Sequence, residues 1–572
     1  MESNICKCIL QALRKTIFLL PFLTVMAFKS KANNVTISDV KVVNNGNGDV
    51  KISFDLSWDN SWRVNTGQNN YDGVWVFFKY RSDRTDGLWY QLQLSGTGNS
   101  SDPGYSIYQR PLPYQIPAPY VGAMIYRNTL GTGTSSFNDI QLGVYPGGMP
   151  YNVDIKAFAI EMVYIPPVSE VLLGDGNGTF ESTNAFHYSG QDNRFAWAYY
   201  VAGFPLVGTK TDANTFDDDY LNWENGKQLF ITDSGYSYID NGNARVKTWP
   251  TGQALWCMKY EISQGGYRDF LNTLTKQQQT NRTEAIVTSA RGTLAMSTNN
   301  PVRTVIKIDT PSVSGKPAVY GCDGNGNGIY NEVGDGEYIA CNYLSWPDVA
   351  AYLAWAGLSP LTEVEYERIC WGHTDAGLNN PVYGGYAWGN NQISNTPYTI
   401  SNGYMNNEIV GNISSTPTLG NANYNATTPK NLFSNGMPLR DGIFAAYTGG
   451  VTRAISGAAF FGVMEMSGNL SEPCVTIGNS AGRLFAGSIG EGAITADGNA
   501  KTYGYDWPGS FPSNDAVELC YSCEVTNSNG TILRGGNFTS KAAELRVSDR
   551  SQGQAAATRK PTQGGRGALY VQ

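Results

Sequence analysis

Val50, Ile52, Phe54, Leu56 and Trp58 alternate with polar residues, a period of two that a half-buried strand satisfies and a helix does not. Val74 to Tyr80 is a second apolar, β-prone run. Just before the first strand, residues 44–48 read Asn-Asn-Gly-Asn-Gly, a turn composition. Residues 33–157 are therefore expected to form an all-β, sandwich-like domain. Trp58, Trp62 and Trp75 would offer faces for sugar rings if exposed, but the alternation favours aromatics that point inward.

Near residue 158 the pattern changes, and helix starts begin to interrupt a loop-rich chain. The stretch Lys259 to Ser263 runs into Tyr267 to Leu274, with apolar residues at helical spacing. Ser345 is placed to cap a helix over 346–355, with Pro347 in its first turn and Asp348 against the dipole. Thr362, followed three residues later by Glu365, predicts a capping box for another. A chain of 572 residues is too long for one ordinary core, so residues 158–572 are expected to form a second domain. Only 15% of residues are charged while 65 are Gly and 35 are Tyr, which suits an extracellular, loop-rich protein. A net charge of -8 without a long Lys/Arg run argues against a nucleic-acid partner, which needs cations to neutralise phosphates.

Arg14 and Lys15 precede the apolar run Ile17 to Phe28, and Ser30-Lys31-Ala32 follows as a small-x-small cleavage site. Residues 1–32 read as a signal peptide, because the run is shorter than the ~20 residues that cross a bilayer. No later segment reads as transmembrane, so a secreted or cell-surface location is expected. In an oxidising compartment most cysteines should pair. Cys322 and Cys341 bracket a Gly-rich loop and predict a disulfide, while Cys520 and Cys523 form a lone CxxC that reads as a local bridge rather than a zinc site. Within the Gly-rich loop, Asp323, Asn325 and Asn327 with Gly328 occupy positions 1, 3, 5 and 6 of a calcium loop. Gly334 stands where a bidentate Glu belongs, leaving Asp335 or Glu332 as the substitute. The loop is either a calcium site or an Asn/Gly loop closed by its cysteines.

Seven blocks in order carry a family resemblance: Met162 to Pro166, Lys259 to Ser263, Ser345-Trp346, Leu361 to Glu367, Tyr386 to Asn390, Gly462 to Glu472 and Leu533 to Phe538. Together they make residues 158–572 resemble the formylglycine-generating-enzyme, or sulfatase-modifying factor, family. The resemblance implies an α+β, irregular C-type-lectin-like domain after the N-terminal sandwich. Enzymes of that family hold copper on two cysteines that follow the Arg-Gly-Gly block, and thiolates are the soft ligands Cu(I) requires. Here Asn537 to Arg546 contains no cysteine, and none follows Cys523. A sister branch binds iron through three histidines, whereas this chain has His187 and His373 alone.

No copper or iron is therefore expected, and the first reading is a non-catalytic binding or structural protein. Its partner would be a surface glycan or protein, met by Arg534, Asn537, Arg546, Asp549 and Arg550 in the former active-site region. The alternative is an oxidoreductase with an altered metal centre, built around Cys520 and Cys523. By resemblance, structural calcium would be held by the side chains of Glu465 and Glu472 and the carbonyls of Gly468 and Leu470. A second calcium site would take Asn423, the Tyr424 carbonyl and Asp441.

Overall fold

A computed structural model describes residues 34–174 and 252–571, except 45–48, 83–87, 113–117, 151–152, 169, 300, 373–380, 395–397, 426–436, 447–451, 478, 503–506 and 511–522; between 174 and 252 it describes residue 185 and five short strands. The expected signal peptide, His373 and Cys520 lie outside the described residues.

The N-terminal part supplies β1 (Thr36–Asn44), β2 (Val50–Arg63), β3 (Asp72–Arg81), β4 (Tyr90–Gln91), β5 (Tyr105–Tyr108), β6 (Gly122–Arg127), β7 (Gly131–Gly143) and β8 (Asp154–Ile165). The alternating run is β2, which pairs antiparallel with β1 and β7 in a three-stranded sheet. Its Ile52, Phe54, Leu56 and Trp58 are buried, as the period of two requires. They share one apolar cluster with Val74, Val76 and Phe78 from the alternate positions of β3. The opposite face of β3, with Trp75 and Phe77, joins the cluster that fills the rest of the molecule. Burial on both faces explains why Val74 to Tyr80 reads as a continuous apolar run without alternation.

Later strands extend the sheet that contains β3. They are β9 (Leu255–Met258), β10 (Ser359–Pro360) and, near the C-terminus, residues 567–570. From one edge to the other the order is β10, 567–570, β9, β8, β3, β6, β5, with β4 also on β3, and every pair is antiparallel. The division expected after residue 157 falls inside β8. Residues Asp154 to Val163 of that strand pair with β3, and Met162 to Ile165 pair with β9. A boundary there would cut a single strand whose two neighbours come from the two halves of the chain. A separate four-stranded antiparallel sheet is formed by strands between residues 170 and 217.

The helices start where their caps predict. Among them are α1 (Gln264–Leu271), α2 (Lys276–Arg282), α3 (Trp346–Ala356) and α4 (Glu363–Trp371). The Ser263, Thr275, Ser345 and Thr362 side chains each accept a backbone N–H of the first turn. In α3 the box is reciprocal, since Asp348 also accepts from Ser345 N at 3.0 Å. In α4 it is only half made. Glu365 instead takes Arg368 and the Gly252 N–H, while Thr362 N donates to the Tyr570 hydroxyl. Tertiary partners there displace the local one. None of the described helices is long and apolar enough to cross a membrane.

The end of α3 ties the two halves of the chain together. Trp75 Nε1 donates to the Ala356 carbonyl at 2.8 Å, and the buried Lys79 ammonium donates to the Trp355 carbonyl at 2.7 Å. A cation at a helix C-terminus satisfies orphan carbonyls and the dipole together. Burial pulls the Lys79 pKa well below its ordinary value. Gly357 then terminates the helix in the left-handed region (φ 71°), and a Cβ there would lie 2.3 Å from Val121 Cγ1 of the N-terminal part. Gly357→Ala combines an unfavourable φ with overpacking, so it should cost about 2 kcal/mol. A denaturation midpoint unchanged by this substitution would show that α3 and the N-terminal sheet are not in contact.

Candidate metal centre

The residues 465–472 form a tight turn whose shape is set by its neighbours. Glu465 and Gly468 both have positive φ (54° and 95°), the first strained for a residue with a Cβ. Gly468 is required by contact as well as by φ, because a Cβ would lie 2.7 Å from the Asn423 carbonyl. Gly468 N donates to the Gly535 carbonyl and Asn469 N to the Asn423 carbonyl, at 2.8 and 2.9 Å. Glu261 accepts the Leu470 N–H at 3.0 Å and the Asn469 side-chain amide. The Arg-Gly-Gly block and the loop at 423 are thus brought onto the turn.

Glu472 does not fit the ligand role the resemblance gave it. Both of its oxygens are taken by Arg566, at 2.7 and 2.5 Å, in a buried bidentate pair. The same guanidinium donates to the Met464 carbonyl at 2.8 Å. The guanidinium takes one lone pair on each oxygen and balances the charge, which weakens the attraction of this carboxylate for a cation. Leu470 lies on the same turn, where its N–H is spent on Glu261.

Unspent oxygens collect from the two expected sites instead. Asp441 is buried with neither carboxylate oxygen hydrogen-bonded, and Glu465 Oε2 and Asn423 Oδ1 are likewise without partners. Glu465 uses its other oxygen on the Gly442 N–H at 2.8 Å, which fixes it beside Asp441. Asn423 is fixed by its amide nitrogen, which donates to the Met437 carbonyl at 2.8 Å and to Asn469 Oδ1 at 3.1 Å. Asn423 and Glu465 line a cavity of about 10 Å³, room for roughly one water-sized group. Burial raises the Asp441 carboxyl well above its ordinary range, and the Glu465 carboxylate raises it further. Burial also pushes Glu465 up to about 7, against the opposing pull of Arg566 and Arg440. Buried carboxyl groups held this way are under-compensated by protein cations, which is what a bound divalent ion corrects.

These residues fit calcium, a hard cation taking oxygen ligands only. Asp441, Glu465 and Asn423 would hold it. Among the described residues no group of three or more His, Cys, Asp or Glu side chains is placed to hold a metal ion. The Tyr424 hydroxyl donates to the Ser394 carbonyl at 2.9 Å.

The loop after Cys322 closes on itself. Asp323 Oδ2 pairs with the Lys307 ammonium at 2.9 Å, Asn325 Oδ1 accepts from Asn327 N, and Asn327 Oδ1 accepts from Ile329 N. Asp335 Oδ2 accepts from Glu332 N, leaving only Asp335 Oδ1 of these side-chain oxygens without a partner. A lysine already neutralises the first expected ligand. Cys322 and Cys341 do not bridge this loop, for both are buried free thiols. It is held by backbone bonds, among them Asn331 N to the Cys322 carbonyl at 2.9 Å and Gly324 N to the Asp335 carbonyl at 3.2 Å. Cys523 is disulfide-bonded, and its partner lies outside the described residues.

The polar residues expected to face a ligand are mostly internal. Arg534 and Arg550 are fully buried. Arg534 pairs with Glu363 at 3.2 Å and with Glu367, and Arg550 reaches both Glu363 oxygens at 2.8 and 3.0 Å. Asn537 donates to Ser471 Oγ, and the buried Asp549 accepts from Ser551 N and Oγ. Arg546 alone stays partly exposed. The helix-α4 acids that neutralise these arginines, and Glu261 and Arg566 beside the turn, were invisible as site residues in the sequence. Their one local signal was charge inside otherwise apolar, Gly-rich blocks.

A family description, the sulfatase-modifying factor enzyme 1-like domain, matches residues 224–569, more than half of the chain. No curated protein matches the sequence.

Proposed function

The chain belongs to the sulfatase-modifying factor enzyme 1-like family, and from that premise we propose that it is an exported, non-catalytic binding or structural protein of the cell surface, stabilised by calcium. We read its scaffold as the irregular C-type-lectin-like α+β fold, with the N-terminal strands as a sandwich built against it. The apolar cluster shared by β2 and β3 supports the sandwich, and the apolar run Ile17 to Phe28 supports export.

The observation that carries the reading is the chemistry left after the Arg-Gly-Gly block. Residues 537–546 contain no thiol, and the two arginines bracketing them are locked to Glu363 and Glu367. The free cysteines among the described residues, Cys257, Cys322, Cys341, Cys370 and Cys474, are all buried. Burial raises their thiol pKa values, the reverse of what a thiolate ligand or nucleophile requires. The test is incubation of the purified chain with a cysteine-containing peptide, copper and oxygen. Thiol loss no faster than with copper alone is the expected result; protein-dependent conversion of the cysteine would overturn the proposal.

A further inference from the structure

A cleft of about 810 Å³ opens where the β2–β3 hairpin meets the loops around 338, 406–409 and 458–464. It is the size of a small-molecule site, and its walls have a specific chemistry. Six side-chain amides line it, from Asn34, Asn60, Gln68, Asn70, Asn406 and Asn407, while the only charged lining residues are Lys259 and Arg440. Both are buried and already engaged within the protein. Lys259 is buried in a salt bridge with Glu161, and Arg440 donates to the Glu408 and Asp441 carbonyls at 3.0 and 2.9 Å. The side chains of Asn60, Gln68, Asn406 and Asn407 make no hydrogen bond to described residues and so keep both donors and acceptors available.

Against this polar rim sits Trp62, half-buried and held in position. Its backbone N–H donates to Asp72 at 2.9 Å and its Nε1 to Asn70 Oδ1 at 3.3 Å, while Asn70 Nδ2 donates to the Phe461 carbonyl at 2.7 Å. The hairpin and the family domain are joined at this point, so the indole is pre-oriented by both. Tyr338 adds a second half-buried ring on another wall.

We propose that this cleft binds an uncharged oligosaccharide, with Trp62 as the stacking surface and the free amides of Asn60, Gln68, Asn406 and Asn407 reading its hydroxyls. Sugars present both donor and acceptor hydroxyls, which carboxamides match in either sense, and apolar C–H faces, which an aromatic ring covers. A phosphorylated, sulfated or nucleic-acid ligand would need several exposed cations, and the described lining offers only a lysine paired with Glu161 and the buried Arg440. The inference rests on the non-catalytic binding reading above and names its ligand class.

The test uses the full mature chain on an array of uncharged hexose and N-acetylhexosamine oligosaccharides, with sialylated and sulfated chains and unglycosylated peptides alongside. Capture of at least one uncharged oligosaccharide is expected, and Trp62→Ala should weaken it about tenfold or more. The paired substitution Gln68→Ala with Asn407→Ala, on exposed or half-exposed positions, should also weaken it while leaving the thermal transition in place. It decides the matter if Trp62→Ala fails to fold. Capture of no uncharged oligosaccharide, capture of acidic glycans or peptides alone, or full affinity in the paired variant would overturn the proposal. That failure is separate from failure of the non-catalytic reading, which the peptide-oxidation assay reports independently.

Discussion

Arg534→Ala should lower the stability of the protein by about 3–5 kcal/mol, the cost of breaking a buried ion pair from one side. The guanidinium is inaccessible and bonds to Glu363 at 3.2 Å, to Glu367 and to the Val547 carbonyl at 2.7 Å, with its carbon centre 5.2 Å from the Tyr366 ring centroid. Glu363 has other support, from Arg550, the Thr476 hydroxyl at 2.6 Å and the Ile477 N–H at 3.1 Å. Glu367 has less, since apart from Arg534 it accepts only the Gly174 N–H at 2.8 Å. Removing Arg534 therefore strands the Glu367 carboxylate in the interior, where an unpaired charge is most costly. Adding Glu367→Gln removes that charge and keeps an oxygen for Gly174, so the double variant should recover at least half of the loss. Urea midpoints at constant slope give both values. A loss below about 1 kcal/mol for Arg534→Ala would mean an exposed side chain and would restore the ligand-facing role expected from its place in the former active-site region.

That contrast shows what the sequence carries and what it does not. Period-two alternation identified β2, capping residues placed the starts of α3 and α4, and apolar spacing found α1 about three residues late, because these are local signals. The limit of locality appears first at Thr362 and Glu365, where spacing promised a reciprocal box but Gly252, 113 positions away, takes a glutamate oxygen and Tyr570, 208 positions away, takes the Thr362 N–H. It appears again at β8. The pattern change near residue 158 falls inside a strand that pairs with β3 on one side and β9 on the other, so it marks no gap between the halves of the chain. The buried charges are the extreme case. Glu363 finds Arg534 and Arg550 across 171 and 187 positions, and Glu472 finds Arg566 across 94. Nothing near an arginine in sequence says whether it will meet solvent, a ligand or such a partner, so the Arg534–Arg550 stretch read as surface. The family resemblance assigned Glu465 to one calcium site and Asn423 and Asp441 to another, and only folding shows that Glu472 is already paired while these three keep unpartnered oxygens.

Calcium should stabilise the protein by about 2.7 kcal/mol at a free concentration 100-fold above its dissociation constant, measured as a shift of the unfolding transition on titration from chelator into calcium. Three buried carboxylates differ in how they are compensated. Asp441 has two unpartnered oxygens and Glu465 has one, and burial raises the pKa of both. Asp441→Asn removes one of these poorly compensated charges, so the metal-free variant should be at least as stable as the parent while its calcium increment disappears. Glu472 gives the opposite pattern. Its substitution by Gln breaks the pair with Arg566 and should destabilise the protein by roughly 3 kcal/mol or more with or without calcium, leaving the increment intact. Magnesium should be a weaker substitute, because its small octahedral shell suits a site of fixed side chains and carbonyls poorly. If Glu472→Gln abolished the calcium increment and Asp441→Asn preserved it, the ion would belong on the 465–472 turn as the family resemblance implies, with Arg566 displaced to admit it. The outcome fixes whether this scaffold holds its cation by the turn alone or by the junction of that turn with the loops at 423 and 441.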